Sequence, residues 1–388
     1  MEKIIKRVVF VTNFMSPHTL PLCDSLFARL GGRFVAITTT QMSPERRALG
    51  YHLYCDRSYI LDCSLERGGA FIQSNLEQAD VIMFTLGSVD SRYLRNNFNE
   101  GKAVLLLSER LFKRGWLKLF DPRLLAQFAL NLTIRRRKVW LLSLGYYVGP
   151  DFCLVGFPRD RVRTFGYFPA TDSLALGDLV NKKAANQHVR ILWVGRMIDV
   201  KRPQDVVHMA NRLMAMGSRI DWRLELAGIG PELSMLGKLI DLLGLADRVT
   251  LLGNCTQNQI SARMREADIV VVTSNRREGW GAVVNEGMAR ACAVVATEDG
   301  GGAKELIIDR ENGRLYQAGD IESLALIVRE LIEDSSQRRA LGQRAYETIC
   351  ELWNAEIAAQ RLVDWVRSGY EAEYTEGPLS RPKSLIRR

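Results

Sequence analysis

Short apolar runs alternate with segments of helical periodicity along the 388 residues of the chain. In the first half the apolar runs are Arg7–Thr12, Phe34–Thr39, Asp80–Thr85 and Ala103–Ser108, and in the second half they are Arg190–Val194, Arg223–Leu226, Val249–Leu252, Asp268–Thr273 and Ala293–Thr297. Runs that are apolar throughout are typical of parallel strands covered by helices on both faces. The pattern therefore predicts an α/β protein with two Rossmann-like, doubly wound domains.

A polar stretch of small residues, Thr171–Gln187, separates the two halves. It predicts an N-terminal domain over 1–175, a linker over 176–188 and a C-terminal domain over 189–370. Residues 371–388 are basic and contain proline, and we expect this tail to fray.

The net charge of +9 is concentrated in one segment. Residues Gly101–Trp140 hold ten basic and two acidic residues, interleaved with leucine and phenylalanine. Basic and apolar residues together suit an anionic membrane surface, and the alternative is a solvated basic face. The chain has no zinc-finger, RNA-recognition or helix-turn-helix pattern, so we expect no nucleic-acid partner.

Cysteine and histidine spacing predicts neither disulfides nor a metal site. The seven cysteines form no Cys-x-x-Cys pair, and the four histidines have no ligand spacing. The first apolar run is too short for a signal peptide, and the longest apolar region, Val139–Phe157, is broken by glycine, proline and aspartate. We expect a cytoplasmic protein, bound peripherally to the inner face of the membrane.

The stretch Ser274–Gly287 carries the strongest chemical signal. It follows a predicted strand, contains a glycine-bearing loop and enters a predicted helix over Ala282–Arg290. Glu278 lies in the loop, and Glu286 lies eight positions later, roughly two turns into that helix. Backbone amides at such a loop can face a phosphate, and two carboxylates can hold hydroxyl groups on either side of it. The alternative is a solvated charged loop and an ordinary helix residue.

Two basic residues lie in the segment that follows the predicted strand Arg190–Val194. The strand exits at Gly195-Arg196, and Lys201 comes five residues after Arg196, where the two cations can neutralise a diphosphate. The alternative is a charged connecting loop. Further tight, glycine-containing strand exits follow at Ala227–Pro231, Leu252–Asn254 and Gly300–Gly302.

In sequence order these motifs are G-R-x4-K, A-G-x-G-P, L-L-G-N, E-x7-E and G-G-G-x-x-E. Over about Arg190–Trp365 the chain resembles the nucleotide-sugar domain of the retaining GT-B glycosyltransferases of family 4, also called glycosyltransferase group 1. The resemblance implies two Rossmann-like domains facing a central cleft, with the donor on the C-terminal domain and the acceptor on the N-terminal one. It also implies transfer of a sugar with retention of configuration and without a bound metal or cofactor.

The resemblance assigns roles to individual residues. Arg196 and Lys201 would hold the diphosphate as it leaves, Glu278 would contact the donor sugar, and Glu286 would bind ribose hydroxyls. The remaining donor-binding residues are glycines of the strand exits, backbone amides of the loop and the L-L-G-N segment along the base: Gly195, Gly228, Gly253, Asn254, Gly279, Trp280 and Gly281. The donor would be a nucleoside diphosphate sugar, with UDP favoured.

The N-terminal half departs from the pattern of many members. Its first loop, Asn13–His18, lacks the usual Gly-Gly pair. Ser108–Arg110 reads S-E-R, as in the branch that builds bacterial surface polysaccharides, so Glu109 is predicted to face the donor sugar or the acceptor hydroxyl. The alternative for Glu109 is a salt bridge to a neighbouring arginine, and His18 is either functional or a helix residue facing water.

The predicted function is transfer of a hexose to a glycan or a lipid-linked saccharide in surface polysaccharide synthesis. Two alternatives of the same fold are a sugar-nucleotide epimerase and a non-catalytic subunit that binds a sugar nucleotide or a polysaccharide. The paired Arg196 and Lys201, together with Glu278 and Glu286, favour an enzyme over a degenerate relative.

Overall fold

A computed structural model describes residues 4–43, 47, 56–62, 69–86, 102–113, 128–129, 131–132, 134, 137–171 and 174–386. The chain divides into two compact units. The first comprises Met1–Ala170 with Trp353–Arg388, and the second comprises Thr171–Leu352.

The first unit contains a parallel sheet of seven described strands. The strands are β1 (Val8–Thr12), β2 (Phe34–Thr38), β3 (Ile60–Asp62), β4 (Val81–Thr85), β5 (Ala103–Ser108), β6 (Val139–Leu144) and β7 (Val162–Phe165), in the spatial order β3-β2-β1-β4-β5-β6-β7. Helices α1 (Leu20–Leu30), α2 (Gly69–Glu77) and α3 (Val148–Leu154) accompany them, with single 3-10 turns at Gly31–Arg33, Arg159–Arg161 and Lys383–Leu385. Strands β1, β5 and β6 are buried along their whole length, which explains their continuous apolar sequences.

The second unit contains a parallel sheet of six described strands. The strands are β8 (Val189–Val194), β9 (Trp222–Ala227), β10 (Val249–Gly253), β11 (Ile269–Val272), β12 (Ala293–Thr297) and β13 (Arg314–Tyr316), in the order β10-β9-β8-β11-β12-β13. The helices are α4 (Leu176–Ala184), α5 (Pro203–Met216), α6 (Leu233–Leu242), α7 (Gln257–Glu266), α8 (Val283–Met288), α9 (Gly301–Leu306), α10 (Ile321–Glu333) and α11 (Ser335–Glu347), with a 3-10 turn at Asp199–Lys201 and a π turn at Thr348–Leu352. Its core includes Trp193, Trp222 and Leu331.

Both sheets confirm the predicted doubly wound α/β arrangement. In the second sheet β8 lies between β9 and β11, so the strand order reverses at this point. Ligands of open α/β sheets bind outside the carboxyl ends of the strands at such a reversal. The loops that follow β8 and β11 therefore define where a site is expected in this unit.

The compact units divide the chain differently from the predicted boundaries. Helix α4 occupies the predicted linker 176–188, and Leu179 on this helix is fully buried. Residues 353–370, predicted to end the C-terminal domain, belong to the first unit instead and form helix α12 (Ala355–Arg367). The ring of Trp365 on α12 packs edge-on against Trp140 of β6 at 5.3 Å.

The expectation that the tail frays is wrong for its described part. The amide of Leu379 donates to the carbonyl of Thr164 at 2.7 Å, and the amide of Thr164 donates to the carbonyl of Ser380 at 2.8 Å. Leu379 is buried. The tail thus satisfies the backbone of β7, which would otherwise be an open sheet edge.

The apolar region Val139–Phe157 forms strand β6 and then helix α3. Within the described residues, no helix combines the length and the apolar character needed to cross a membrane.

Candidate functional site

The loops that follow β8, β9 and β10 are joined by their main chains. The amide of Gly195 donates to the carbonyl of Ala227 at 3.1 Å, and the amide of Met197 donates to the carbonyl of Ile229 at 2.9 Å. The amide of Gly228 donates to the carbonyl of Gly253 at 2.8 Å. The structure therefore brings together Gly195, Gly228 and Gly253, as the sequence predicted.

Close approach of backbones explains the glycine at 228. A Cβ atom added there would lie 1.9 Å from the carbonyl oxygen of Gly195, and its φ of +144° is one that other residues rarely adopt. Gly230 has the same constraint, because its Cβ would lie 2.3 Å from the carbonyl oxygen of Met197. These glycines keep the strand exits in contact, while Asn254 is exposed one residue beyond Gly253.

Lys201 and Glu278 meet at the reversal of strand order. Lys201 ends the 3-10 turn after β8, and Glu278 lies in the loop after β11. The Lys201 ammonium forms an ion pair with the Glu278 carboxylate, and both side chains are less than one fifth exposed. Arg196 is exposed just after β8. Two of the predicted catalytic residues are thus in direct contact.

Main-chain and side-chain bonds fix the loop after β11 against the turn after β8. The amide of Asn275 donates to the carbonyl of Val200 at 2.9 Å, and Arg277 forms an ion pair with Asp199. The amide of Glu278 donates to the carbonyl of Asn275 at 2.9 Å. The position of Glu278 relative to Lys201 therefore depends on backbone structure and not on the ion pair alone.

Trp280 has a structural side chain. Its ring is buried, and its indole N–H donates to the side-chain oxygen of Asn285 at 2.6 Å. The amides of Gly301 and Gly302 donate to the carbonyls of Gly279 and Trp280 at 3.1 and 2.9 Å. A Cβ atom at Gly302 would lie 2.5 Å from the Trp280 carbonyl oxygen. The Gly300–Gly302 segment therefore supports the main chain of the loop after β11.

Glu286 lies nearer the start of its helix than the sequence predicted. Helix α8 begins at Val283, so Glu286 is in the first turn and not two turns in. The side chain is buried, and the Glu286 carbonyl accepts a bond from the Arg290 guanidinium at 2.9 Å. The amides of Glu278, Val284 and Glu286 bond within the loop and helix, so those three amides do not face a phosphate. A buried carboxylate here is suited to accept bonds from hydroxyl groups.

In the first unit, Glu109 follows β5 and has two neighbours that donate to it. Lys113 forms an ion pair with Glu109, and the hydroxyl of Tyr167 donates to the other carboxylate oxygen at 3.3 Å. Burial and the Glu109 charge raise the pKa of Tyr167, so this tyrosine remains a neutral donor. The salt bridge considered as the alternative role of Glu109 is thus present, but its cation is a lysine and not an arginine, and Arg110 pairs with Asp151 at 3.5 Å. The sequence analysis missed Tyr167.

His18 lies near the same group. Its carbonyl accepts the amide of Phe168 at 3.1 Å, and its ring lies 6.2 Å from the ring of Tyr167. The loop Asn13–His18, which lacks the Gly-Gly pair, therefore brings His18 next to the strand exit that carries Tyr167.

About half of the basic segment 101–140 lies outside the described residues. Of its described cations, Arg110 and Lys113 form ion pairs and Lys102 donates to the carbonyl of Leu76 at 3.0 Å. Arg137 and Lys138 are exposed. Across the part of the chain that the structure describes, no cluster of His, Cys, Asp or Glu is arranged to hold a metal ion.

A cavity at the opposite edge of the second sheet is lined by Lys183, His188, Asp268 and Arg338, among others. The Asp268 carboxylate there already accepts bonds from the side chain of Asn186 and the backbone of Arg190, at 3.0 and 2.9 Å. These bonds tie the segment that follows α4 to the sheet at the amino ends of β8 and β11.

Sequence comparison matches residues 179–348 to the family "Glycosyl transferases group 1". The N-acetyl-alpha-D-glucosaminyl L-malate synthase of Bacillus anthracis is 30% identical over 166 residues, which are 43% of this chain and 42% of that protein. The GDP-mannose-dependent alpha-(1-6)-phosphatidylinositol monomannoside mannosyltransferase of Mycobacterium tuberculosis is 27% identical over 219 residues, 55% of this chain and 54% of that one. The chain thus spans about half the length of these two curated relatives.

Structural comparison extends the likeness to both units. The crystal structure of Anabaena HepE in complex with UDP and glucose superposes with a TM-score of 0.66 at 16% identity, covering 94% of this chain and 100% of that one. At this identity the likeness shows the fold alone. With its two doubly wound sheets, the chain has the GT-B fold, and its residues 179–348 match the glycosyl transferases group 1 family.

Proposed function

We propose that the protein transfers a sugar from a nucleoside diphosphate sugar to a saccharide acceptor, with retention of configuration. The observation that carries the proposal is the contact between Lys201 and Glu278 at the strand reversal of the second sheet. Arg196 lies just after β8, and Glu286 is buried in α8, the helix that follows the loop of Glu278. This arrangement places cations and carboxylates where an α/β sheet binds its ligand.

Positive charge at this site would act on the leaving group. As the bond between sugar and diphosphate breaks, negative charge grows on the diphosphate, and fixed cations stabilise it. The Arg196 guanidinium can donate two parallel hydrogen bonds to phosphate oxygens, whereas the Lys201 ammonium acts as a point charge. Since these two cations supply the charge, we propose that transfer needs no metal ion or other cofactor.

The two carboxylates would hold the donor on either side of its diphosphate. Glu278 now pairs with Lys201, so a bound diphosphate would compete for the ammonium and leave the carboxylate to accept bonds from sugar hydroxyls. Glu286 would accept bonds from the ribose. The exposed Asn254 and neighbouring Gly253 would lie along the base.

UDP is the favoured nucleotide in this proposal. A solved structure of the same fold binds UDP, whereas one sequence relative is named as GDP-mannose-dependent. The proposal therefore depends on a direct comparison of UDP and GDP.

The acceptor in this proposal is a glycan or a lipid-linked saccharide of a surface polysaccharide or glycolipid. Relatives named for phosphatidylinositol monomannoside and for lipopolysaccharide core support this class. The positive segment 101–140 would bring the protein to an anionic membrane surface as a peripheral protein. Glu109 would contact the acceptor hydroxyl, held by Tyr167 and Lys113.

A transfer assay tests the proposal. The purified chain is incubated in EDTA with UDP- and GDP-sugars and a membrane extract, and nucleoside diphosphate release and labelled product are followed. We expect release from one nucleotide class, its loss in Lys201→Met, and a product whose anomeric configuration by NMR matches the donor. Binding without turnover would support the non-catalytic subunit, and an altered sugar with no acceptor product would support the epimerase.

A further inference from the structure

Thr273 links a buried indole to the main chain of Lys201. It is fully buried and directly follows β11. Its hydroxyl accepts the indole N–H of Trp193 at 2.9 Å and donates to the carbonyl oxygen of Lys201 at 2.6 Å. The indole can only donate and the carbonyl can only accept, so the direction of both bonds is fixed and the single hydroxyl proton is directed at the Lys201 carbonyl.

The Trp193 ring that orients this hydroxyl is itself held in place. Trp193 is 1% exposed and belongs to β8, the strand that ends just before Gly195. A Cβ atom at Gly195 would lie 3.1 Å from the ring, so the strand exit packs closely on the indole. Hydrogen bonds through the side chains of Trp193 and Thr273 thus join β8 to the end of β11, the two strands on either side of the reversal.

The main chain at Lys201 is a point where the backbone turns sharply. The amide of Lys201 closes the 3-10 turn on the carbonyl of Ile198 at 2.8 Å, and the next residue, Arg202, has a left-handed φ of +48°. A non-glycine residue in this conformation needs support from its surroundings. The Thr273 hydroxyl supplies it by fixing the carbonyl between the turn and Arg202.

We propose that Thr273 is a positioning residue for the donor diphosphate, acting through Lys201. This inference rests on the proposed function, because it takes Lys201 as the phosphate-binding cation. Without the hydroxyl, the carbonyl of Lys201 and the indole N–H of Trp193 lose their buried partner, and the turn that aims the ammonium relaxes. Donor affinity falls although Thr273 does not touch the donor.

The test is a double-mutant cycle between Thr273 and Lys201, read by calorimetric titration with UDP and GDP. Thr273→Val keeps the side-chain shape but removes the hydroxyl, and Thr273→Ser restores it. We expect Thr273→Val to weaken binding of the preferred nucleotide about tenfold, the effect of losing one well-placed interaction, and Thr273→Ser to stay within about threefold of the wild type. In the Lys201→Met background, Thr273→Val has less than about a twofold further effect, because the residue it positions is gone.

A stability control separates positioning from general loosening. Val328→Ala, on α10 in the core of the second unit, removes buried methyl groups of a side chain that takes no part in the bonds of Thr273, and it should lower the melting temperature without weakening nucleotide binding. If Thr273→Val is insoluble, Thr273→Cys carries the same expectation. Wild-type affinity in Thr273→Val, or an equal loss in both Lys201 backgrounds, would overturn the inference. Absence of binding by the wild type to either nucleotide would instead overturn the proposed function.

Discussion

The ammonium of Lys201 pairs with the carboxylate of Glu278, although the two residues follow different strands of the second sheet. Both side chains are mostly shielded from water, where an ion pair is stronger than at the surface. Backbone bonds between their loops, including Asn275 to Val200, hold them together before any ligand binds. Because the loop backbones are fixed in advance, donor binding would require only the exchange of this ion pair for contacts with the donor, and not a rearrangement of the loops.

Removal of the Lys201 charge should abolish most of the activity. Lys201→Met keeps the length of the side chain but leaves the departing diphosphate without one of its cations, so we expect kcat to fall about 100-fold or more. The matched control is Lys238→Met, an exposed lysine on α6, which should retain the wild-type rate. Equal rates for Lys201→Met and the wild type in a steady-state transfer assay would contradict this role.

Gly228 should not tolerate even a methyl group. Gly228→Ala places a Cβ atom against the carbonyl oxygen of Gly195 at an unfavourable φ, so we expect a loss of about 2 kcal/mol or more of stability and weaker donor binding. Gly177→Ala in α4 is the control, since a Cβ there meets nothing within 4 Å and should stabilise by up to about 0.5 kcal/mol. Thermal unfolding of both variants checks the prediction. Similar melting temperatures would show that the strand exits can separate freely.

Tyr167 should affect turnover more than stability. Tyr167→Phe removes the hydroxyl that donates to Glu109, and we expect kcat to fall about tenfold if Glu109 must be oriented for the acceptor. Tyr374→Phe also removes one hydroxyl bond, to the carbonyl of Arg361 at 3.2 Å, and should keep the wild-type rate. An unchanged kcat in Tyr167→Phe would make the bond a structural one, while a loss equal to that of Tyr374→Phe would point to a general effect on folding.

Titration of Glu330 should make the stability of the folded protein depend on pH. The hydrogen bond from Arg314, at 2.8 Å, lowers the pKa of Glu330, and Gln337 adds a second bond. A depressed folded-state pKa gives stability that is present above the unfolded-state pKa of about 4.3 and lost as pH falls through the folded value. Glu330→Gln should therefore lower the melting temperature at pH 7, with the difference shrinking below about pH 4. A difference that does not change with pH would contradict this assignment.

Local sequence signals predicted the second unit well. The spacing of Glu278 and Glu286 is visible in the sequence itself. The glycines at the strand exits lie close together because ligand-binding loops of α/β sheets gather at the carboxyl ends of the strands. The misplacement of Glu286 within its helix has a local cause. Four of the eight positions that lead from Glu278 to Glu286 belong to the loop before the helix, so Glu286 is only the fourth residue of α8.

Contacts between distant segments were not predictable from one sequence. Tyr167 reaches Glu109 only because β5, β6 and β7 are neighbours, and β6 and β7 were not identified. Likewise, the bond from Thr273 to Lys201 follows from the packing of β8 beside β11, and no motif marks it. The tail was predicted to fray from its composition, which does not reveal that Leu379 bonds to β7.

The most direct test of a donor site on the second unit is calorimetric titration with UDP and GDP in the presence of EDTA. We expect one nucleotide to bind the wild type without metal. Glu286→Ala should weaken that binding at least about tenfold, because the ribose hydroxyls lose the buried carboxylate that accepts their bonds. The exposed Glu311→Ala should bind like the wild type. Binding of neither nucleotide, or equal affinity of Glu286→Ala and the wild type, would contradict a nucleotide-sugar site at this position.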